Sequence, residues 1–183
     1  MNLSAPVWFL IALAILTANL PFFVERPFLA LPWAQKGETP LPAWRRWLES
    51  FVFFALLAGL CRATFDLIGG AFFAASAAGS VVLFLIELIG VFAAAALLLA
   101  YAGWRSKDRV VKKSFFERLL EVLVFYVLVG ALGFALEANM GNSFSQTWEF
   151  YAITLCLFLV LAYPGFVYHY LLRHGRHRRR KHR

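Results

Sequence analysis

The groups able to do chemistry in this chain are few, and most of them stand inside apolar runs. Glu87 lies in the stretch Leu85-Ile86-Glu87-Leu88-Ile89-Gly90, about 11 Å of helix from the outer end of its run. An ionisable group at such a place is costly unless it is paired or used, so one reading of Glu87 is a proton-handling carboxylate. The other is a structural ion pair. Arg62 falls at matching depth in the preceding apolar run, and Asp66 follows it by about one helical turn. An Arg62–Glu87–Asp66 cluster would satisfy all three, and the sequence favours that cluster.

Glu49 and Glu121 sit about a turn inside the next boundary, each three residues after an arginine, Arg46 and Arg118. That spacing reads as interfacial i,i+3 pairs. Asn19 is a lone carboxamide in the first apolar run, next to Pro21. In lipid it needs a partner on a neighbouring helix or on its own chain. His169, His174, His177 and His182 are diluted by seven basic residues and joined by no carboxylate or cysteine, which is not a metal pattern. Cys61 and Cys156 lie in apolar runs and read as small buried hydrophobes. No serine–histidine–aspartate order, phosphate loop, dinucleotide glycine pattern or CxxC is present. The expectation is a protein without catalysis, cofactor or metal of its own.

What must position these groups is a set of membrane spans. Of 183 residues, 62% are apolar and 15% charged. Soluble domains are nearer half apolar and a quarter charged. Spans of about 20 residues are predicted near 6–24, 47–68, 80–103, 118–137 and 147–170. The near-continuous apolar stretch from Trp47 to Trp104 would be about 87 Å as one helix, so it must fold back, best at the small-residue segment 69–79. Met1-Asn2-Leu3-Ser4 offers no basic region, which argues against a cleaved signal peptide. The fold class is therefore all-α: an integral membrane helical bundle of five transmembrane helices in a single domain, 1–172. A basic cytoplasmic tail, 173–183, follows.

Loop charges orient it. The connections carry, in order, four, zero, six, zero and seven Lys+Arg, after an N-terminus with none. The positive-inside rule then places the N-terminus outside and the C-terminus in the cytoplasm. The tail residues Arg173, Arg176, Arg178, Arg179, Arg180, Lys181 and Arg183, with the basic loops, suit anionic lipid headgroups or an acidic partner surface. No recognition fold for nucleic acid accompanies the charge. Residues 46–66 and 118–138 align at an offset of 72 with eight of 21 positions identical, including Arg46/Arg118, Glu49/Glu121 and Phe53/Phe125. The small-residue spacing Ala55-x-x-x-Gly59-x-x-x-Ala63 suits close helix–helix approach.

Several segments resemble an uncharacterised family of small bacterial inner-membrane proteins, a domain of unknown function. They are Val7-Trp8, Ala18-Asn19-Leu20-Pro21-Phe22, Glu25-Arg26, Arg118-Leu119-Leu120-Glu121, Leu136-Glu137-Ala138 and Gly141-Asn142. Trp148-Glu149-Phe150-Tyr151-Ala152 and Pro164-Gly165-Phe166-Val167 are the most specific. The resemblance implies a bacterial inner-membrane location. It also implies a gene neighbourhood beside respiratory complex I, and hence an accessory or assembly role with that complex as candidate partner. Family members are typically shorter, with three spans, so the resemblance implies that two spans are inserted here between about 34 and 114. The alternative function is a small transporter or proton-conducting protein using Glu87 with Arg62.

Overall fold

The computed structural model describes residues 4–33, 42–70, 79–105, 113–141 and 145–173. Every regular element among them is helical: α1 (Ser4–Phe23), α2 (Ala43–Gly70), α3 (Gly79–Arg105), α4 (Phe115–Asn139) and α5 (Trp148–Val167). A π-helical turn, Tyr168–Arg173, continues α5. All five helices contain stretches long and apolar enough to cross a membrane. The physical reason is general: lipid offers the backbone no hydrogen-bond partner, and a helix satisfies its own.

Local signals set the helix ends. α4 begins at Phe115 rather than near residue 118, because Ser114-Phe115-Phe116-Glu117 is a capping box. The Ser114 N–H donates to Glu117 Oε2 at 2.9 Å, and the Glu117 N–H donates to Ser114 Oγ at 3.3 Å. Arg118 therefore belongs to the first turn of a helix and not to the basic loop in which its charge was counted. Pro21 does not end α1, which runs on to Phe23 with the Val24 N–H bonded to the Leu20 carbonyl at 3.0 Å. The turn expected at 69–79 falls largely on 71–78, outside the described residues.

Two compact units arise. One contains α1, the first turns of α4 as far as Val129, and α5 with its π turn. Here α1 packs on α5, and α4 joins them through Tyr126, whose hydroxyl donates to the Tyr151 carbonyl at 3.0 Å and lies 2.9 Å from Thr154 Oγ1. The other contains the segment after Glu25, α2, α3 and the last turns of α4. In it the Asn139 carboxamide donates to the Ile68 carbonyl at 2.7 Å, near the C-terminal end of α2. Gly103 lets the chain at Arg26 and Pro27 approach α3: a Cβ there would stand 3.3 Å from the Pro27 carbonyl oxygen. The Lys113 ammonium sits 4.6 Å above the Phe28 ring.

The loop charges predict which ends a membrane-impermeant reagent reaches. In a chain with Cys61 and Cys156 replaced by serine, Ser145→Cys should label with an impermeant maleimide in intact cells. Ala43→Cys should label only after permeabilisation. The reverse pattern would invert the orientation.

Candidate functional site

The site begins from a defect that the sequence builds into α5. Pro164 has no N–H, so the helix loses one backbone bond there and its last turns loosen. Asn19 of α1 fills the gap beside it. Its Nδ2 donates to the Leu161 carbonyl at 2.9 Å, and its Oδ1 accepts the Gly165 N–H at 2.7 Å. One carboxamide thus bridges the carbonyl and the N–H that a regular helix would join to each other. The same Nδ2 lies 2.7 Å from the Ile15 carbonyl, one turn back on its own helix. Asn19 bonds both to its own chain and to a neighbour, and is 9% exposed.

Gly165 is the other half of the joint. A Cβ at that position would stand 2.8 Å from Asn19 Oδ1 and 3.1 Å from Phe22 Cβ. No side chain fits unless α1 and α5 part. Around this contact Phe22 meets Phe166 edge-on at 6.1 Å, and Phe166 lies 4.9 Å from Tyr170.

Arg118 closes the end of α1. Its guanidinium is 3% exposed, and Nη1 donates to the Pro21 carbonyl at 2.7 Å, with the Phe22 carbonyl at 3.5 Å. These belong to the last carbonyls of α1, the negative end of its dipole, where a cation is favoured. This longer-range contact was not expected from the Arg118–Glu121 spacing. Glu117 and Glu121 are buried beside Arg118 on the same end of α4. His169, expected among the tail histidines, is buried in the π turn with its ring edge-on to Tyr170.

The second unit holds the remaining candidates. Arg62 Nε and Asp66 Oδ2 form an ion pair at 2.9 Å on the outer face of α2, with side chains 78% and 53% exposed. Glu87 does not join them. Its Oε2 is buried and has no hydrogen-bond partner among the described residues. The expected three-member cluster is therefore a pair plus a separate carboxylate: Arg62 and Asp66 share one stripe of α2, and Glu87 is withdrawn from it. Glu49 and Arg46 are half-buried at the start of α2. Arg173 ends the π turn, while Arg176, Arg178, Arg179, Arg180, Lys181 and Arg183 lie outside the described residues. No group of three His, Cys, Asp or Glu that could hold a metal occurs among the described residues.

Capping of helix ends by side chains from other spans, inside helices of membrane length, defines a multi-pass helical membrane protein. The chain belongs to the family described as Protein of unknown function (DUF2818), which it matches twice, over residues 6–103 and 82–173. No curated protein and no solved structure matches it. The two matches begin 76 residues apart, 82 against 6, and end 70 apart, 173 against 103. These spacings bracket the 72-residue offset between α2 and α4. Buried positions recur at that offset: Ser50 and Val122, Phe53 and Phe125, Thr64 and Leu136. Missed in the sequence was a shorter echo at a different offset, 62, Leu99-Ala100-Tyr101-Ala102-Gly103 against Leu161-Ala162-Tyr163-Pro164-Gly165. In both copies the glycine is a point of close approach.

The joint predicts a double-mutant result. Asn19→Leu strands the Leu161 carbonyl and the Gly165 N–H and should cost about 1–3 kcal/mol. Gly165→Ala overpacks the same seat and should cost a similar amount, about 1–3 kcal/mol. Because both changes disrupt one contact, the double variant should lose clearly less than their sum in detergent unfolding titrations. Full additivity would separate the two residues.

Proposed function

We propose that this protein is a non-catalytic accessory or assembly protein of the bacterial inner membrane, packing against a larger membrane complex. The observation that carries this reading is where the buried polar groups are spent. Asn19, Arg118, Glu117, Tyr126 and Asn139 all bond backbone or capping groups of other parts of the chain. They hold helices in place. Meanwhile large apolar side chains on every helix, such as Trp8, Phe51, Leu97, Leu123 and Val160, face outward, where lipid or other spans would cover them. Respiratory complex I is the candidate partner, on the strength of the gene neighbourhood that the resemblance implies. The basic tail and loops would hold anionic headgroups or an acidic surface of the partner.

A mild-detergent purification of a tagged chromosomal copy tests this. The expected outcome is co-purification with a large membrane complex on a native gel, with complex I subunits identified by mass spectrometry. Recovery of the protein by itself would remove the accessory reading.

One observation favours a second reading, a small proton-conducting or transport protein. Glu87 presents a buried carboxylate oxygen without a hydrogen-bond partner among the described residues. On this reading Glu87→Gln abolishes a proton flux in liposomes while the protein still inserts. Equal flux from wild type and variant would dismiss it. Arg62, already paired with Asp66, would act only as a distant field.

A further inference from the structure

The Arg62–Asp66 pair stands where a single chain has no use for it. It lies in an apolar span that runs to Ile68, about 9 Å of helix from that end at Arg62, and both side chains point away from the protein. Charged side chains in spans ordinarily face a protein interior or a water-filled cavity.

The segment at the 72-residue offset supplies a comparison. At the 72-residue offset, Arg62 corresponds to Phe134 and Asp66 to Ala138. Neither charge recurs at that offset. The stripe itself also differs between copies. On α4 its centre is covered, with Ala131 half-buried and Ala135 fully buried. On α2 the corresponding Gly59 is exposed and Ala63 only half-buried, and a Cβ on Gly59 would meet nothing within 4 Å. Ala55, Gly59, Arg62, Ala63 and Asp66 occupy one arc of about 100° on α2.

We propose that this stripe is the contact between two copies of the chain, related by a two-fold axis along the membrane normal. The occupant follows from charge. Copies inserted in one orientation bring α2 against α2 in parallel, so equal residue numbers meet. Arg62 and Asp66 are one turn apart and of opposite sign, so each arginine can reach the aspartate of the other copy, twice over. Such a patch is self-complementary, as an isologous interface requires. The small residues beside it let the two backbones approach closely enough for those side chains to reach. The pair then leaves lipid for a protein interior. This interface is independent of any larger complex and is tested on the purified protein in lipid nanodiscs.

The test separates a pair within one chain from a pair between chains. Wild type should run as a dimer. Arg62→Asp makes the stripe wholly acidic and Asp66→Arg makes it wholly basic, so each variant should associate at least about tenfold more weakly by itself. Mixed together, the two should recover a one-to-one heterodimer, because acid then faces base on both sides. A merely intramolecular pair gives no recovery on mixing. Should either charge variant fail to insert, cysteines read the same face. With Cys61 and Cys156 replaced by serine, Ala63→Cys should form an oxidative dimer in membranes and Phe65→Cys, on the flank of α2, should not. A monomeric wild type, a dimer indifferent to the charge changes, cross-linking through position 65 in place of 63, or cross-linking of position 63 to a different protein would each overturn the proposal.

Discussion

A helix in lipid must find a partner for every backbone group it exposes, and in this chain a proline inside α5 and the end of α1 each leave groups in want of one. The rest of the first unit is arranged around that shortage. At Pro164 the repair comes from the Asn19 carboxamide, which carries a donor and an acceptor and spans the gap beside the proline. At the end of α1, where the last carbonyls have no helical N–H to accept from, it comes from the Arg118 guanidinium, which donates to the Pro21 carbonyl. Gly165 is required because the repairing group must come within hydrogen-bond range of a backbone. The aromatic rings of Phe22, Phe166 and Tyr170 then close over the joint. A carboxamide and a glycine thereby fix which two helices meet and at what height.

That arrangement explains which parts were legible in the sequence. The five helices were, because an apolar run of span length has no other stable use. Asn19 was legible as a group in need of a partner, since an amide in lipid cannot go unsatisfied. Which carbonyl it would take was not, because Leu161 is 142 residues away and no local pattern connects them. The reach of Arg118 to α1 was hidden for a related reason. Glu117 and Glu121 are its near acids in sequence, and the carbonyls at the end of α1, which carry partial negative charge, could not be seen from them. The capping box at Ser114 had a readable signature and was absorbed into the basic loop. Glu87 was grouped with Arg62 by depth. Depth along a span says nothing of rotation about it, and Arg62 and Asp66 share an outward stripe that Glu87 does not reach.

α2 and α4 carry two versions of one sequence pattern. The buried register is kept at Phe53 and Phe125, and a close-packing glycine is kept at Gly103 and Gly165. What differs is what the two versions carry on that register. One glycine seats α1 and its asparagine, and the other seats the extended chain at Arg26 and Pro27. One helix keeps an aromatic and an alanine where the other carries an ion pair. A shared frame with unlike outer faces suits a protein whose work is contact.

The Asn19 bridge also has a bearing on the order of synthesis. α1 precedes α5 in the chain, and until α5 emerges the Asn19 amide has the Ile15 carbonyl to bond. α5 follows it, with its Leu161 carbonyl and Gly165 N–H taken up by that amide. α1 is thus a template awaiting α5, and the joint closes only once Gly165 has been made and inserted. A chain truncated before Gly165 leaves that template unfilled. It exposes an unsatisfied polar group to the bilayer, the kind of lesion by which membrane quality control distinguishes unfinished proteins from finished ones.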